Sequence, residues 1–570
     1  MGAWRWLHCQ CESGPTVDAG AWTEGLANLQ DKQDGLNAAE RTLLRVAVDL
    51  GATEVGGPLT FSERQLVDQV SAVFKTATAT LDDVRRSILA GDDPLGSWLC
   101  RIRPPSSRRS WGAFYTPPVL VEPMLDWVLR RSPARLVDPG CGSGRFAAAA
   151  LRRKPDLPVV AVDLDPLATL LTRATLAVIG AQTALVIQGD YTRLDLPSID
   201  GRTAFVGNPP YVRHHELSPA AKAWAVSAAQ RLGHGVSTLA GLHVHFFLAT
   251  ALLAQPGDVG CFVTSAEWLD VNYGAVVRYL FLDGLGGQEL YVVDPRAAPF
   301  EDAMTTAVIS CFVVGSRSQH VQILAVARPD ELRTLAGGRE ISRLELDRSH
   351  RWTPLIFSRG NTSVSEDAVP LRALARVHRG VVTGANSFFV LTRERARALG
   401  IERWCRSALT SAEEILRSDG VVRDGPERRL LLDVPPDVDR SAHPHLDAYL
   451  RLGEQPHDGE PPIAERYIPR HRRPWWYLGR TDPPPIVVSY MARQAPVFAL
   501  NPDGLAVINI AHGIYPTGNL MPEHRADLVA ALNNARHSFQ GRGRTYHGGL
   551  EKFEPREMEA LLVPAGTDVA

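Results

Sequence analysis

The stretch that decides the fold is Arg135-Leu136-Val137-Asp138-Pro139-Gly140-Cys141-Gly142-Ser143-Gly144-Arg145-Phe146. Its first four residues form a short run that predicts a buried strand, and the pattern predicts a helix at Phe146–Arg153. The three glycines Gly140, Gly142 and Gly144 let the backbone turn tightly and let a ligand approach closely. A strand, a glycine loop and a helix in this order predict a nucleotide-binding loop in a Rossmann-like α/β domain.

Acidic residues at successive strand ends indicate which nucleotide binds there. The glycine spacing departs from the dinucleotide pattern G-x-G-x-x-G, and the loop has no Gly-Lys-Ser/Thr for a triphosphate. Asp138, directly before the loop, suits an ammonium group better than a pyrophosphate. Asp163 follows the next predicted strand and is placed for ribose hydroxyls, and Asp190 follows the third and can accept from an adenine amino group. We therefore predict S-adenosylmethionine as the cofactor.

A second motif, Asn208-Pro209-Pro210-Tyr211, closes the apolar run Thr203–Gly207. The prolines have fixed φ angles and no N–H, so the turn is stiff and its carbonyl groups point outward as acceptors. An exocyclic amino group could donate its hydrogens to the Asn208 side-chain oxygen and the Pro209 carbonyl, while Tyr211 stacks on the ring that carries it. The alternative is a proline turn capped by the asparagine and closed by a surface tyrosine.

Length and composition bound the class of protein. The 570 residues exceed one ordinary core, so two or three domains are expected, and 45% hydrophobic with 22% charged residues is typical of a soluble globular protein. No apolar run approaches the roughly 20 residues that span a bilayer, so we expect no membrane segment and a cytoplasmic location. The seven cysteines show neither a disulfide framework nor zinc spacing. His214-His215-Glu216 lacks further ligands at helical spacing, so no metal is expected.

Other stretches are predicted from their local patterns. Thr116 is placed to be the N-cap of a helix at Val119–Arg130. Residues 212–241 are polar and predict a lid-like region, and Val381–Leu391 is predicted to be a strand, a tight turn and a strand.

An arginine-rich segment, Arg466–Arg480, carries five arginines in fifteen residues, interleaved with aromatic residues. Such a segment is a candidate surface for contacts with phosphates and a DNA groove. The alternative is a solvated loop with two buried tryptophans. The net charge of -2 does not decide between them, because a basic patch on one face is enough to bind DNA. The predicted DNA-binding residues are Arg466, Arg470, Arg472 and Arg473.

The motifs, taken together and in order, resemble those of the N6-adenine DNA methyltransferases of gamma arrangement found in restriction–modification systems. The matching stretches are Phe114–Pro118, Asp138–Phe146, Asp163–Pro166, Asp190, Asn208–Tyr211 and Phe300–Gly315. Two departures are that the family often carries Ala or His at positions 142 and 143, and that residues 212–240 match nothing in it.

The resemblance implies a role for each matching position. Asn208, Pro209 and Pro210 would hold the target amino group, and Tyr211 and Phe300 would sandwich a flipped adenine. The residues implied to hold S-adenosylmethionine are Thr116, Asp138, Gly140, Gly142, Gly144, Phe146, Asp163 and Asp190.

The predicted organisation has four parts. A helical N-terminal region (1–110) precedes a methyltransferase domain (111–320), a linker (321–370) and a mixed α/β target-recognition domain (371–570). The predicted function is site-specific methylation of adenine N6 in double-stranded DNA, in a restriction–modification or phage-defence system, with a separate restriction endonuclease or defence subunit as a partner.

Two other functions remain open at this point. One is an amino-group methyltransferase that acts on RNA or on protein glutamine, since Asn-Pro-Pro-Tyr also resembles the sites of such enzymes. These are usually far shorter and lack a C-terminal domain of about 200 residues. The other is a bifunctional restriction enzyme, or a modification or specificity subunit of a larger restriction complex whose own transferase is idle. The common nuclease fold needs an acidic residue two positions before a lysine, and none of the five lysines has one. The intact motif set argues against an idle transferase site.

Overall fold

The computed structural model divides into two compact units, Met1–Ile356 and Phe357–Ala570. The residues that the structure describes are 36–71, 75–103, 116–212, 214–293, 306–332, 335, 337–357, 368–456, 461–479, 482–492, 495–517, 522–539, 544–546 and 550–563. Within those ranges no helix is long and apolar enough to cross a membrane.

The first unit is built on a sheet with nine strands among the described residues, in the order β3-β2-β1-β4-β5-β7-β6-β8-β9. The strands are β1 Arg135–Pro139, β2 Val159–Asp163, β3 Ala184–Gln188, β4 Thr203–Gly207, β5 Val259–Ser265, β6 Gly287–Val293, β7 Ala307–Val313, β8 His320–Val326 and β9 Arg339–Ser342. Strands β3, β2, β1, β4 and β5 are mutually parallel, which confirms the predicted α/β class.

The central strands are mostly apolar and fully buried because both of their faces are covered. β1, β4 and β5 are buried along their whole length, as is usual for parallel strands with helices on both faces. β1 lies between β2 and β4, with Val137 level with Val160 on one side and Phe205 on the other. The carboxyl ends of β1, β2 and β4 therefore meet at one edge of the sheet.

The helices of this unit cover the sheet and its edge. They are α1 Ala38–Asp49, α2 Phe61–Ser71, α3 Thr78–Ala90, α4 Pro94–Ile102, α5 Pro118–Leu129, α6 Arg145–Arg153, α7 Pro166–Val178, α8 Pro219–Arg231, α9 Leu242–Leu253, α10 Ala275–Tyr279, α11 Arg343–Arg348 and α12 Thr353–Phe357. The predicted lid-like region at 212–241 contains α8, which is capped by Ser218 and packs through its alanines.

The segment predicted as a linker, 321–370, is instead structured in its first half. β8 pairs in parallel with β6, and β9 pairs with β8 in antiparallel fashion. The alternating burial along His320–Val326 is the period-2 pattern of a half-buried strand. The sheet thus continues beyond the antiparallel strand β7, and the boundary between the two units falls at residue 357.

The N-terminal helices share a core with the sheet domain. Leu43, Leu44 and Val46 of α1 pack with Leu170 and Leu171 of α7 in one apolar cluster. The loop before α2 also reaches the sheet, where the Val186 amide of the edge strand β3 donates to the Gly56 carbonyl at 2.9 Å. The N-terminal helical region is therefore part of the first compact unit.

The second unit is mixed α/β with short strands. Its described strands form sheets in the orders β10-β22, β11-β19-β15-β17, β12-β14-β13-β18 and β16-β21-β20. The strands are β10 Val369–Pro370, β11 Ala375–Arg379, β12 Val390–Leu391, β13 Cys405–Leu409, β14 Leu430–Leu432, β15 Ile486–Ser489, β16 Met491–Ala492, β17 Phe498–Leu500, β18 Ala506–Val507, β19 Ala511–Pro516, β20 Arg544–Tyr546, β21 Leu550–Lys552 and β22 Leu562–Val563. The helices are α13 Asn386–Phe389, α14 Arg393–Ala398, α15 Ala412–Leu416, α16 Pro444–Leu452, α17 Pro522–Ala535 and α18 Pro555–Glu559.

The prediction of a strand, turn and strand at Val381–Leu391 was wrong in its first half. Val381 makes only an isolated bridge to Ile508, and α13 precedes the short strand β12. The helical turn forms because Phe388 and Phe389 must both enter the core, where they are 6% and 0% exposed.

Candidate active site

The glycine loop between β1 and α6 has a backbone that only glycine adopts easily. Gly140, Gly142 and Gly144 have φ angles of +71°, +56° and +83°, in the left-handed region that L side chains avoid. A Cβ at Gly144 would lie 2.8 Å from Thr172 Cγ2, whereas a Cβ at Gly142 would have nothing within 4 Å. The loop is therefore held against α7 at Gly144, and it faces open space at Gly142, where a ligand can approach the backbone.

Asp138 ends β1 inside the protein. Its side chain is 0% exposed, and Oδ2 accepts from the Ala147 amide in the first turn of α6 at 3.2 Å. Among the described residues, Oδ1 has no hydrogen-bond partner. Burial, and to a smaller extent the nearby charge of Asp163, raise the pKa of this carboxyl to about 8, against the lowering effect of the Ala147 amide. An approaching cation would relieve the cost of ionising this group.

Asp163, at the end of β2, accepts from the backbone of the glycine loop. Its Oδ2 accepts from the Gly142 amide at 2.9 Å, and its Oδ1 accepts from the Asp165 amide at 3.0 Å. Burial raises the pKa of Asp163 to about 6. Asp190, after β3, is exposed and accepts from the amide and the hydroxyl of Thr192 at 2.9 and 2.8 Å.

These residues fit S-adenosylmethionine. The buried, unpartnered Oδ1 of Asp138 offers a place for an ammonium group. The open face of Gly142 allows close approach to the backbone. Asp163 and Asp190 add acceptors at the next two strand ends, which is the edge where α/β proteins bind nucleotides. The structure thus brings the predicted carboxylates to one edge of the sheet.

Asn208-Pro209-Pro210-Tyr211 lies beside the glycine loop. A Cβ at Gly140 would be 3.4 Å from Pro210 Cδ and 3.8 Å from the Asn208 carbonyl oxygen. The Tyr211 hydroxyl donates to the Val263 carbonyl of β5 at 3.4 Å, and burial raises the pKa of Tyr211 well above its usual range. The tyrosine ring is therefore tied to the neighbouring strand and is not a loosely held surface residue.

The prediction that Thr116 is the N-cap of α5 was wrong. The N-cap position is Pro117, without a side-chain cap. The Thr116 hydroxyl instead accepts from the Asn208 side-chain Nδ2 at 3.1 Å, and Thr116 is 7% exposed. Thr116 is therefore bonded to Asn208 of the Asn-Pro-Pro-Tyr motif through its hydroxyl and to Arg145, directly after the glycine loop, through its carbonyl.

Two charged residues near the loop were missed by sequence reasoning. Arg145, the first residue of α6, donates to the Thr116 carbonyl, and its Nε lies 3.4 Å from Asp93 Oδ2. Asp93 also accepts from the Ser143 hydroxyl at 2.5 Å. Arg145 could have been noticed in the sequence. A cation in the first turn of a helix is unfavourable to the helix dipole, so its presence there indicates a compensating partner.

Two of the predicted site residues need separate mention. Phe146 is 4% exposed and packs in the core beneath the sheet. Phe300 lies outside the described residues.

The arginine-rich segment of the second unit divides into anchored and exposed side chains. Arg472 donates to the carbonyl groups of Val382 and, at 3.1 Å, Thr383, so its guanidinium is used within the fold. Arg470 and Arg473 are exposed, and Arg466 is half-buried. Arg473 also donates to the carbonyl groups of Arg470 and Arg472 at 2.9 Å, but these lie within the segment itself. The segment borders a groove of about 540 Å³ lined by Ala464, Glu465, Arg470, Arg472, Arg473, Pro474 and Trp475.

Trp475 and Trp476 in this segment are half-buried. The Trp475 indole donates to Glu454 at 3.2 Å and its ring packs on Phe388. The base of the segment is thus fixed, while two of its arginines face solvent.

Comparison with known proteins matches both units. The family described as Type II methyltransferase M.Eco57I, C-terminal domain, matches residues 352–570, and the family described as methyltransferase small domain matches residues 122–237. Among solved structures, the type IIL restriction–modification enzyme MmeI in complex with DNA has a TM-score of 0.56 at 12% identity and covers 93% of this chain and 86% of that chain. This likeness concerns the fold.

Two relatives at higher identity cover 95% and 79% of the chain. The type II methyltransferase M.XamI of Xanthomonas campestris pv. amaranthicola is 40% identical over 545 residues, 95% of this chain and 96% of the relative. The type II methyltransferase M.AccI of Acinetobacter calcoaceticus is 23% identical over 473 residues, 79% of this chain and 85% of the relative. The chain therefore belongs to the S-adenosylmethionine-dependent type II DNA methyltransferases of restriction–modification systems.

Proposed function

We propose that this methyltransferase modifies the N6 amino group of a flipped adenine in double-stranded DNA, at a specific site, within a restriction–modification or phage-defence system. The observation that carries the proposal is the close approach of Asn208–Tyr211 to the glycine loop at the carboxyl edge of the sheet, where a Cβ at Gly140 would lie 3.4 Å from Pro210. A methyl donor bound at the loop would lie next to a rigid turn that offers acceptors to an amino group.

The turn would prepare the amino nitrogen for attack. Asn208 Oδ1 and the Pro209 carbonyl accept the two amino hydrogens, which localises the nitrogen lone pair. Pro210 keeps the backbone stiff after these acceptors. Alignment and a preorganised polar site then account for the rate, without a covalent enzyme intermediate.

Stacking would hold the adenine outside the helix. Flipping a base costs a few kcal/mol, which stacking and pocket contacts offset. The ring of Tyr211 is preorganised by the bond between its hydroxyl and Val263. We assign Phe300 to the opposite face of the base.

The cofactor would bind with its ammonium group at Asp138, its ribose at Asp163 and its adenine at Asp190. Gly140, Gly142 and Gly144 supply the close backbone approach. S-adenosylmethionine contributes a methyl group on a positively charged sulfur. Phe146, which follows the loop in the first turn of α6, supports this site from the core, where it is 4% exposed.

The second unit would recognise the DNA sequence. Its exposed arginines Arg470 and Arg473, with Arg466 beside them, suit phosphate contacts that position DNA. MmeI, which shares the fold, is a restriction–modification enzyme described in complex with DNA. A separate restriction endonuclease that cuts the same site is the natural partner of such a modification enzyme.

The decisive experiment is methylome sequencing of DNA from a methylation-free host that expresses only this chain, with mass spectrometry of the nucleosides. We expect N6-methyladenine at one short sequence, and we expect none from the matched variant Asn208→Ala, which should still bind S-adenosylmethionine. If the product were N4-methylcytosine, the target base would be cytosine and the assignment to adenine would be wrong. Methylation of RNA or protein without methylation of DNA would contradict the proposal.

A further inference from the structure

Hydrogen bonds link the N-terminal helical region to the asparagine of the catalytic turn. Asp93 lies 3.4 Å from Arg145, Arg145 donates to the Thr116 carbonyl, and the Thr116 hydroxyl accepts from Asn208 Nδ2 at 3.1 Å. Asp93 lies at the start of α4, which precedes the sheet domain in the chain. Each link joins a different element.

We propose that Asp93 and Arg145 are positioning residues that act through Thr116 to orient the amide of Asn208. This inference rests on the proposed role of Asn208, and it assigns a task to the N-terminal helical region. The amide has two chemically different ends, and only Oδ1 can accept from an amino group. The Thr116 hydroxyl accepts from Nδ2, and in this orientation the other end of the amide, Oδ1, is turned away from Thr116.

The burial of the linked side chains makes them suited to positioning. The Asp93 and Arg145 side chains are only 6% and 17% exposed, so their attraction is weakly screened. A cation at the first position of α6 opposes the helix dipole, and the Asp93 carboxylate offsets that cost. Arg145 is thereby held where it can donate to Thr116.

Asp93 also contacts the glycine loop. This second contact allows experiments to distinguish an effect on Asn208 from an effect on the loop and its cofactor. Asp93 accepts from the Ser143 hydroxyl of the glycine loop at 2.5 Å. A change at Asp93 should therefore affect both cofactor affinity and turnover, whereas removal of the Thr116 hydroxyl should affect turnover alone. Variants of Asp93 should therefore change both kcat and the Kd for the cofactor, whereas variants of Thr116 should change only kcat.

The test uses the full chain, tritium-labelled S-adenosylmethionine and unmethylated genomic DNA. Thr116→Val removes the hydroxyl but keeps the shape, and a small misorientation can cost about 100-fold in rate. Although the resemblance implied that Thr116 holds S-adenosylmethionine, its hydroxyl accepts from Asn208. We therefore expect kcat to fall about 10- to 100-fold with the Kd for S-adenosylmethionine unchanged. Thr116→Ser should restore kcat to within about threefold of wild type. Thr175→Val, which removes another buried hydroxyl, is the matched control and should keep wild-type kcat.

A double-mutant cycle then tests the connection to Asp93. Asp93→Asn keeps an N-cap for α4, because asparagine caps as well as aspartate, but it removes the charge opposite Arg145. It should lower kcat and weaken cofactor binding, and the double variant Asp93→Asn/Thr116→Val should have the kcat of Thr116→Val alone. Arg145→Met should also lower kcat, and it replaces Asp93→Asn in the cycle if that variant does not fold.

Two results would overturn the inference. They are a wild-type kcat in Thr116→Val, and reductions in kcat that multiply in the double variant. Nucleoside analysis of the wild-type product tests the proposed function separately. The kcat of each variant relative to wild type can be interpreted in the same way whichever amino group is methylated.

Discussion

Asp138 shows how one residue can combine a structural cost with a binding function. Its carboxyl is fully buried, and burial raises its pKa to about 8. In the ligand-free protein near pH 7 this group therefore holds a proton. An ammonium group placed beside it favours the ionised form, so cofactor binding and proton release should be coupled.

We predict that the affinity for S-adenosylmethionine rises between pH 6 and pH 8, by up to about tenfold per pH unit, because the bound state requires an ionised Asp138. Calorimetry in two buffers of different ionisation enthalpy should find about one proton released per cofactor at pH 7. Asp138→Asn should bind more weakly and lose this pH dependence. An unchanged pH dependence in the variant would assign the titration to another group.

The same pKa has a consequence for folding. Because the pKa is raised in the folded state, the unfolded chain releases its proton first, and the stability of the ligand-free protein falls as pH rises from about 4 toward 8. Asp138→Asn should therefore show a smaller decrease in stability over this range than wild type. Denaturant unfolding at pH 5 and pH 8 without cofactor measures the difference.

At the scale of elements, a buried ion pair fastens the N-terminal region to the sheet domain. Arg173 of α7 and Glu63 of α2 lie 3.0 Å apart with both side chains 0% exposed. Arg173 also donates to the carbonyl groups of Val55, Gly57, Pro58 and Val186. One side chain thus ties a loop, a helix and the edge strand β3 together.

Arg173→Met should destabilise the first unit by about 3–5 kcal/mol, because it leaves the Glu63 carboxylate buried without its charge partner. The matched control is Arg86→Met, which breaks an exposed pair with Asp83 whose side chains are 74% and 72% exposed and should cost less than about 1 kcal/mol. Urea unfolding followed by tryptophan fluorescence compares them. Equal effects would mean that the buried pair adds nothing to stability.

Local sequence patterns predicted the elements that carry the site, but not the contacts between them. β1, the glycine loop and α6 follow from residues within one short stretch, so glycine spacing and apolar runs were enough. The linker prediction failed because it left out β8, although the alternation of polar and apolar residues at the start of His320–Val326 is a strand signal. The link from Asp93 to Asn208 spans more than a hundred positions, and no local pattern carries such a contact.

The arginine-rich segment shows the same limit. The spacing of its arginines predicted a surface, but it could not separate Arg472 from its exposed neighbours. Arg472 donates to carbonyls of residues 382 and 383, outside the segment, whereas Arg473 donates to carbonyls inside it. That distinction depends on a tertiary contact. It also decides which substitutions can test DNA binding without disturbing the fold.

At the scale of the whole molecule, the two units are proposed to divide the work, with the cofactor and the chemistry in the first and DNA recognition in the second. The exposed arginines Arg470 and Arg473 lie in the second unit, while the cofactor residues lie in the first. A change in DNA binding should therefore be separable from cofactor binding.

The double variant Arg470→Ala/Arg473→Ala should weaken DNA binding and flatten its salt dependence, by about 0.9 log unit per log salt for each phosphate that the variant no longer neutralises. Binding of S-adenosylmethionine should stay unchanged. Arg417→Ala, an exposed arginine of the same unit with a 77% exposed side chain, is the matched control. Arg472→Ala should instead lower the stability of the second unit. An unaltered salt slope in the double variant would remove this segment from the DNA interface, whereas a changed methylation sequence would mark its arginines as base contacts.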